Sequence, residues 1–178
     1  VATGTGDLAI KIQQITDCQV LGLDISQQML SVGFEKIKKL GLASKISLQK
    51  GDAENLPFED NKFDAVSVAF GVRNFENLEK GLKELLRVVK KGCCVYILEF
   101  SKPNGFWIPL YLFYFKNILP MIGKLISKDS RAYTYLPDSV GVFPYGKEMK
   151  KILLNAGFSA VEYKNLSFGI AAIYKATK

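Results

Sequence analysis

The stretch Val1-Ala2-Thr3-Gly4-Thr5-Gly6-Asp7, answered by Asp24, decides the fold. It reads as the end of a strand, a glycine turn and the start of a helix over residues 8–15. Gly4 and Gly6 carry no Cβ, so the backbone can turn sharply there and approach a ligand closely. The helix that follows aims free N–H groups and the positive end of its dipole into the same space. A second apolar run, Gln19-Val20-Leu21-Gly22-Leu23, ends in Asp24. A carboxylate at such a strand tip is placed to accept hydrogen bonds from the ribose hydroxyls of a nucleoside. The pattern implies a nucleoside-containing cofactor. The same residues also serve a bare strand–helix turn. Gly4-x-Gly6-x-x-Ala9 satisfies the loose dinucleotide fingerprint too, so NAD stays open at this point.

Working outward, strand signals alternate with helical ones, the pattern of a mostly parallel sheet with crossover helices. Ser26 is a candidate N-cap for an amphipathic helix over 27–40, whose apolar face would be Met29, Leu30, Phe34, Ile37 and Leu40. Gly41 stands where a C-cap belongs. Residues 46–49 read as the next strand, and 63–70 as a strand buried on both faces. A loop at 71–75 leads to a helix over 78–89, ended by Lys90-Lys91-Gly92, and then to a strand over 93–100. From 101 to 144 the rhythm breaks into an aromatic, apolar segment. Pro109, Lys116, Asn117, Pro120 and Lys124 interrupt it too often for a membrane span, and a pair of short helices over a pocket mouth fits better. A helix over 147–155 and strands over 159–165 and 168–175 close the chain. No internal repeat or second domain is evident, so 1–178 reads as one domain with a lid-like insertion at about 102–144.

Composition narrows the chemistry. The net charge of +7 favours an anionic partner, a phosphate-bearing ligand or an acidic membrane surface. The lysines are scattered along helices and the aromatics sit in an apolar run, which argues against a nucleic-acid-binding module. Cys18, Cys93 and Cys94 have no metal-ligand spacing and read as buried thiols in a reducing compartment. The chain has no histidine, which removes Ser-His-Asp triads, His-ligated metals and an imidazole base together. The chain opens inside what should be a strand, so the sequence reads as a fragment with the N-terminal part of its fold missing. A gap in the sheet, an open site, weak cofactor binding and negligible activity are then expected.

Gly51-Asp52-Ala53 at the next strand end, followed by Leu56-Pro57-Phe58, moves the balance from NAD. An aspartate there can accept from an adenine amino group while its apolar neighbours pack on the ring. Here the chain resembles the ubiquinone/menaquinone-biosynthesis C-methyltransferases, a family of class I S-adenosylmethionine-dependent enzymes. The resemblance rests on VATGTGDLA (1–9), GLDIS (22–26), GDAENLPF (51–58), FDAVSVAFGVRN (63–74), LRVVKKG (86–92) and LEFSKP (98–103). YTYLPDSV (133–140) and AGFSAVEYKNLSFGIAAIYK (156–175) extend it over nearly the whole chain.

The resemblance implies an α/β, Rossmann-like methyltransferase fold, mostly parallel with a C-terminal antiparallel pair. It implies S-adenosyl-L-methionine as cofactor, with Gly4, Thr5 and Gly6 bordering its methionine part, Asp24 on the ribose, and Asp52 and Ala53 on the adenine. Many relatives carry a serine where Ala69 stands, so one hydroxyl contact at the cofactor is absent. The reaction implied is methyl transfer to a ring carbon of a prenylated quinol, a naphthoquinol or a benzoquinol. A ring carbon becomes a competent nucleophile once a phenolic hydroxyl has lost its proton. Arg73 could stabilise that phenolate or lower the pKa of a water, and Asn74 could orient either. Arg73 and Asn74 could instead cap the next helix, and Glu99 could be a polar wall or a satisfied strand end. Tyr133 and Tyr135 could face the quinol or pack the lid. A sterol or other small-lipid methyltransferase of the same fold, or an NAD-dependent oxidoreductase, is the alternative reading. A cytoplasmic protein, peripheral at the membrane that holds a prenylated substrate, is expected, with a homodimer left open.

Overall fold

The computed structural model describes residues 1–102 and 143–178. Helix α1 (Asp7–Thr16) starts from Gly6, whose φ of 79° lies in the left-handed region, and buries Ala9, Ile10 and Gln13. Strand β1 (Val20–Asp24) follows and leads into α2 (Gln27–Lys39). The Ser26 hydroxyl accepts from the Met29 N–H, and Lys36, Lys38 and Lys39 in the last turn complement the helix dipole. Gly41, at φ +69°, ends the helix as the sequence predicts.

The buried face of α2 is narrower than its apolar periodicity suggests. Leu30, Gly33 and Ile37 face inward, while Met29, Phe34 and Leu40 are 44%, 45% and 54% exposed. Gly33 explains the choice of face. A Cβ there would stand 2.7 Å from Leu48 Cδ1 and 3.2 Å from the Thr5 carbonyl oxygen, so its absence lets α2 press against the glycine turn.

Strand β2 (Ile46–Lys50) pairs parallel with β1, from Val20–Ile46 to Asp24–Lys50. Strand β3 (Phe63–Ala69) pairs parallel with β4 (Val89–Phe100). After a short turn of 3-10 helix (Val72–Asn74), α3 (Leu78–Val88) is capped by Asn77, whose side chain accepts from the Lys80 N–H at 3.0 Å. The cap is therefore Asn77 and not the Arg73-Asn74 pair. Helix α3 stops one residue earlier than predicted and β4 starts four residues sooner, because Val89 is already extended and pairs with Phe63. The register slips between Phe63 and Ala65, and Gly92, at φ +74°, lies within the slipped stretch of β4.

Helix α4 (Lys147–Asn155) and strands β5 (Ala160–Leu166) and β6 (Ala171–Thr177) complete the described chain. Both strands run antiparallel, β6 against β4 and β5 against β6. They are displaced from the predicted spans because Ser167–Gly169 forms a 3-10 turn in which Ser167, Phe168 and Gly169 all have positive φ.

The strands thus fall into two sheets, β1-β2 and β3-β4-β6-β5. Residues 1–3 run between them: the Val1 amino group donates to the Ser67 carbonyl at 2.8 Å and the Thr3 N–H to the Leu23 carbonyl at 3.0 Å. An apolar groove of about 660 Å³ lies there, lined among others by Leu21, Leu23, Val66 and Val68. The groove separates β1 of one sheet from β3 of the other. It also corrects the expectation that β3 is buried on both faces, since Asp64, Ala65 and Phe70 are exposed.

The main core packs Leu82, Leu85 and Val88 of α3 with Val95 and Ile97 of β4 and Ala172, Tyr174 and Ala176 of β6. Each large apolar side chain buried there contributes about 1.5–3 kcal/mol relative to exposure. A smaller cluster (Ala9, Ile10, Leu30, Ile37, Ile46, Leu48) holds α1 and α2 on the two-stranded sheet. The thiols are not uniformly buried: Cys18 is exposed, and Cys93 and Cys94 are half-buried. The segment read as a lid, with Tyr133 and Tyr135, lies outside the described residues except at its edges. Among the described residues no helix is long and apolar enough to cross a membrane.

Candidate cofactor and active site

Gly4 and Gly6 both adopt positive φ, +55° and +79°, which an L side chain would strain. The turn they make brings the Gly4 N–H onto Asp24 Oδ2 at 2.7 Å, while the Ser26 N–H donates to Oδ1 at 2.9 Å. Each carboxylate oxygen therefore accepts one backbone N–H and keeps a lone pair for a further donor. That acceptor capacity fits the two hydroxyl donors of a ribose diol.

Thr5 is placed differently from a hydroxyl that contacts a ligand. Its Oγ1 donates to Asp7 Oδ2 at 2.6 Å and accepts from Lys36 Nζ at 2.9 Å. Lys36 also reaches both Asp7 oxygens, and its hydrogen bond is the main reason the Asp7 carboxyl sits below the usual carboxylate range. Thr5 is left to border a ligand with its backbone. Sequence reasoning missed Lys36, which carries no motif and comes from the opposite helix.

The Asp24 carbonyl accepts from the Gly51 N–H at 3.0 Å, so the tips of β1 and β2 carry Asp24 and Asp52 side by side. Asp52 Oδ1 accepts from the Glu54 N–H at 2.9 Å, forming a local turn that presents Ala53. Asp52 is exposed and Ala53 half-buried. Leu56, 3% exposed, anchors the loop in the core.

At the tip of β3, Ala69 pairs with Leu98 and is half-buried. Phe70 takes φ 54°, an unusual conformation for an aromatic residue and one often found at functional sites. Its ring stacks on Phe100 at a centroid distance of 4.6 Å. Arg73 lies alongside, its guanidinium carbon 5.2 Å from the Phe100 ring centre. Nη1 of Arg73 donates to Glu99 Oε1 and to the Phe70 carbonyl, both at 2.7 Å. Glu99 accepts in addition from the backbone N–H groups of Arg73 (3.3 Å) and Phe100 (2.9 Å). Arg73 Nε is buried and has no hydrogen-bond partner among the described residues. Asn74, by contrast, is exposed, so the two adjacent residues are not presented together.

The glycine turn, Asp24 and Asp52 thus converge at the carboxyl ends of β1 and β2, and Ala69 and Arg73 stand at the end of β3. Gly4, Asp24 and Asp52 do not line the large groove, but Ala69 does, so the groove reaches the site at the tip of β3. The arrangement offers a carboxylate pair for a nucleoside and a guanidinium for an oxyanion.

The family model for the ubiE/COQ5 methyltransferase family matches residues 1–178. A protein of Bacteroides fragilis named demethylmenaquinone methyltransferase is 48% identical over the whole chain, which covers 74% of that protein's length. One from Geotalea daltonii, named ubiquinone/menaquinone biosynthesis C-methyltransferase, is 43% identical over the whole chain, which covers 77% of it. The fold is similar to the crystal structure of an S-adenosylmethionine-dependent methyltransferase from Aquifex aeolicus. That likeness has a TM-score of 0.71 at 21% identity and covers 99% of this chain and 79% of the other. The chain belongs to the ubiE/COQ5 methyltransferase family, and S-adenosylmethionine is its methyl donor.

Proposed function

We propose that the chain methylates a ring carbon of a prenylated quinol, demethylmenaquinol, giving menaquinol. The observation that carries this reading is the 48% identity, over every residue of the chain, to a protein named demethylmenaquinone methyltransferase. The benzoquinol of the ubiquinone pathway is the second reading, favoured by the name of the Geotalea relative.

In this reading Asp24 holds the ribose, Asp52 and Ala53 the adenine, and the backbone of Gly4, Thr5 and Gly6 the methionine part, beside Ala69. S-adenosylmethionine supplies an electrophilic methyl group on a sulfonium. The protein's part is to line up the quinol carbon behind that methyl and to favour the phenolate form of the ring. Held by these residues, the cofactor would supply the methyl group and keep the bonding electron pair on its sulfur, and the methylated ring would then release a proton to restore aromaticity.

Arg73 is the group for the phenolate. Its pairing with Glu99 makes the dyad neutral overall, so it acts as a fixed hydrogen-bond donor more than as a bare cation. A base of moderate strength, water included, then takes the phenolic proton, since the chain has no histidine. A prenylated substrate also makes peripheral contact with a membrane surface part of this proposal.

The test is a methyl-transfer assay on demethylmenaquinol and on the corresponding benzoquinol, with labelled S-adenosylmethionine. Label in the naphthoquinol alone supports the first reading, and label in both supports dual specificity. Cofactor binding by the full-length protein with label in neither quinol would overturn the quinol assignment.

A further inference from the structure

Arg87 and Glu84, on the last two turns of α3, touch none of the residues assigned to the cofactor. Yet Arg87 uses all five of its N–H donors. Nε donates to Glu84 Oε1 at 2.7 Å, and Nη2 to Glu84 Oε2 at 2.8 Å and the Leu56 carbonyl at 2.9 Å. Nη1 donates to the Phe58 carbonyl at 2.6 Å and to Asp60 Oδ1 at 2.9 Å. Glu84 Oε2 in turn accepts from the Leu56 N–H at 2.7 Å. Both backbone groups of Leu56 are therefore held by side chains of a single helix. Upstream, Glu54 Oε1 accepts from the N–H of Asn77, the residue that caps the same helix.

The segment held in this way carries Asp52 and Ala53. Among the described residues no sheet ladder runs through it, and its one strand-like contact is the bridge between Asp52 and Asn55. We propose that Arg87 and Glu84 are positioning residues for cofactor binding, a latch that fixes the loop carrying Asp52 and Ala53 against α3. The inference rests on those two residues meeting the adenine. An unlatched loop would have to be ordered by the cofactor itself, at a cost in backbone entropy that is lost from the binding affinity. Affinity should fall while chemistry at the distant methyl group is little affected.

Lysine is the informative substitution. It keeps the charge, but a compact ammonium cannot span the Leu56 carbonyl, the Phe58 carbonyl and both Glu84 oxygens as a planar fork does. In the full chain, Arg87→Lys and Arg87→Met should both weaken S-adenosylhomocysteine binding about tenfold, read by calorimetry. The apparent KM for S-adenosylmethionine should rise by a similar factor with kcat changing far less. Amide hydrogen exchange in residues 51–60 should accelerate while β4 and β6 stay protected. Glu84→Gln keeps the shape and should show the same pattern more weakly, which provides a folded comparison if Arg87→Met unfolds. Faster exchange with unchanged affinity, or a full rescue by lysine, would overturn the latch. If the unsubstituted protein bound no S-adenosylhomocysteine, the cofactor reading would fall and this one with it. Binding by that protein, with equal affinity in the variants, overturns the latch alone.

Discussion

The Arg73 guanidinium and the Glu99 carboxylate meet at 2.7 Å with side chains only 6% and 1% exposed, so the FGVRN and LEFSKP segments are joined by a buried ion pair. From the sequence, Arg73 is expected to act on the substrate or to cap the next helix. Its burial predicts more. Removing one partner of a buried pair strands the other charge, at about 3–5 kcal/mol. Arg73→Ala and Glu99→Ala should each lower the urea midpoint by that order. The Arg73→Met, Glu99→Leu double variant should be less destabilised than the sum of the corresponding single changes, because it strands no charge. Additive losses in the cycle would show that the two residues are not coupled.

Gly33 limits how closely α2 approaches the glycine turn. The Cβ of Gly33→Ala would meet the Leu48 side chain, which can swing away, and the Thr5 carbonyl, which is backbone and cannot. Overpacking of this kind costs about 1–3 kcal/mol, against a helix-propensity gain of up to about 1 kcal/mol. The variant should be modestly destabilised and should bind cofactor more weakly, because the Gly4–Gly6 turn is pushed. Gly41→Ala is the control. Its Cβ meets nothing within 4 Å, so it suffers only the strain of φ +69° and should retain cofactor affinity. Thermal unfolding and calorimetry on both variants separate the effects.

Asp24 serves the fold as well as the proposed site, because it ties the Gly4 and Ser26 N–H groups to the tip of β1. Hydrogen bonds to a charged group are worth about 1.5–3 kcal/mol each. Asp24→Ala should therefore weaken S-adenosylmethionine by that order and also lower stability. Asp24→Asn should retain part of both, since one side-chain oxygen remains while the amide group faces a backbone donor. Unchanged affinity in a folded Asp24→Ala protein would remove this carboxylate from the cofactor site.

Most of this arrangement is legible in the sequence because it is carried by local rules. Positive φ at Gly4, Gly6 and Gly41, the Ser26 cap and the alternation of strand and helix follow from neighbouring residues. What escapes is long-range. Glu99 pairs with Arg73 across 26 positions, Lys36 reaches Thr5 across 31, and Arg87 reaches Leu56 across 31. No periodicity signals such contacts. The face of α2 was misjudged for a related reason. A glycine, invisible to a hydrophobicity count, decides which side packs. The split of the strands into two sheets also depends on which edges meet, and composition and alternation leave that undecided.

The latch on the loop at 51–60 should also reveal itself through acid. Hydrogen bonding to Arg87 is the main cause that lowers the Glu84 carboxyl below its ordinary 4.5, with partial burial opposing it. A carboxyl whose folded pKa is depressed contributes stability that is fully present above the ordinary value and is lost as pH falls through the folded one. The unfolded chain binds the Glu84 proton first, so stability should drop as pH is lowered from about 4.5. Asp7, lowered by Lys36, contributes a drop of the same sign, so the total slope does not isolate Glu84. The difference between the unsubstituted protein and Glu84→Gln does. Urea midpoints measured from pH 6 downward should diverge at neutral pH and converge in acid, where the carboxyl is protonated and resembles the amide. Parallel curves over the whole range would mean that the charge of Glu84 contributes nothing to holding the loop.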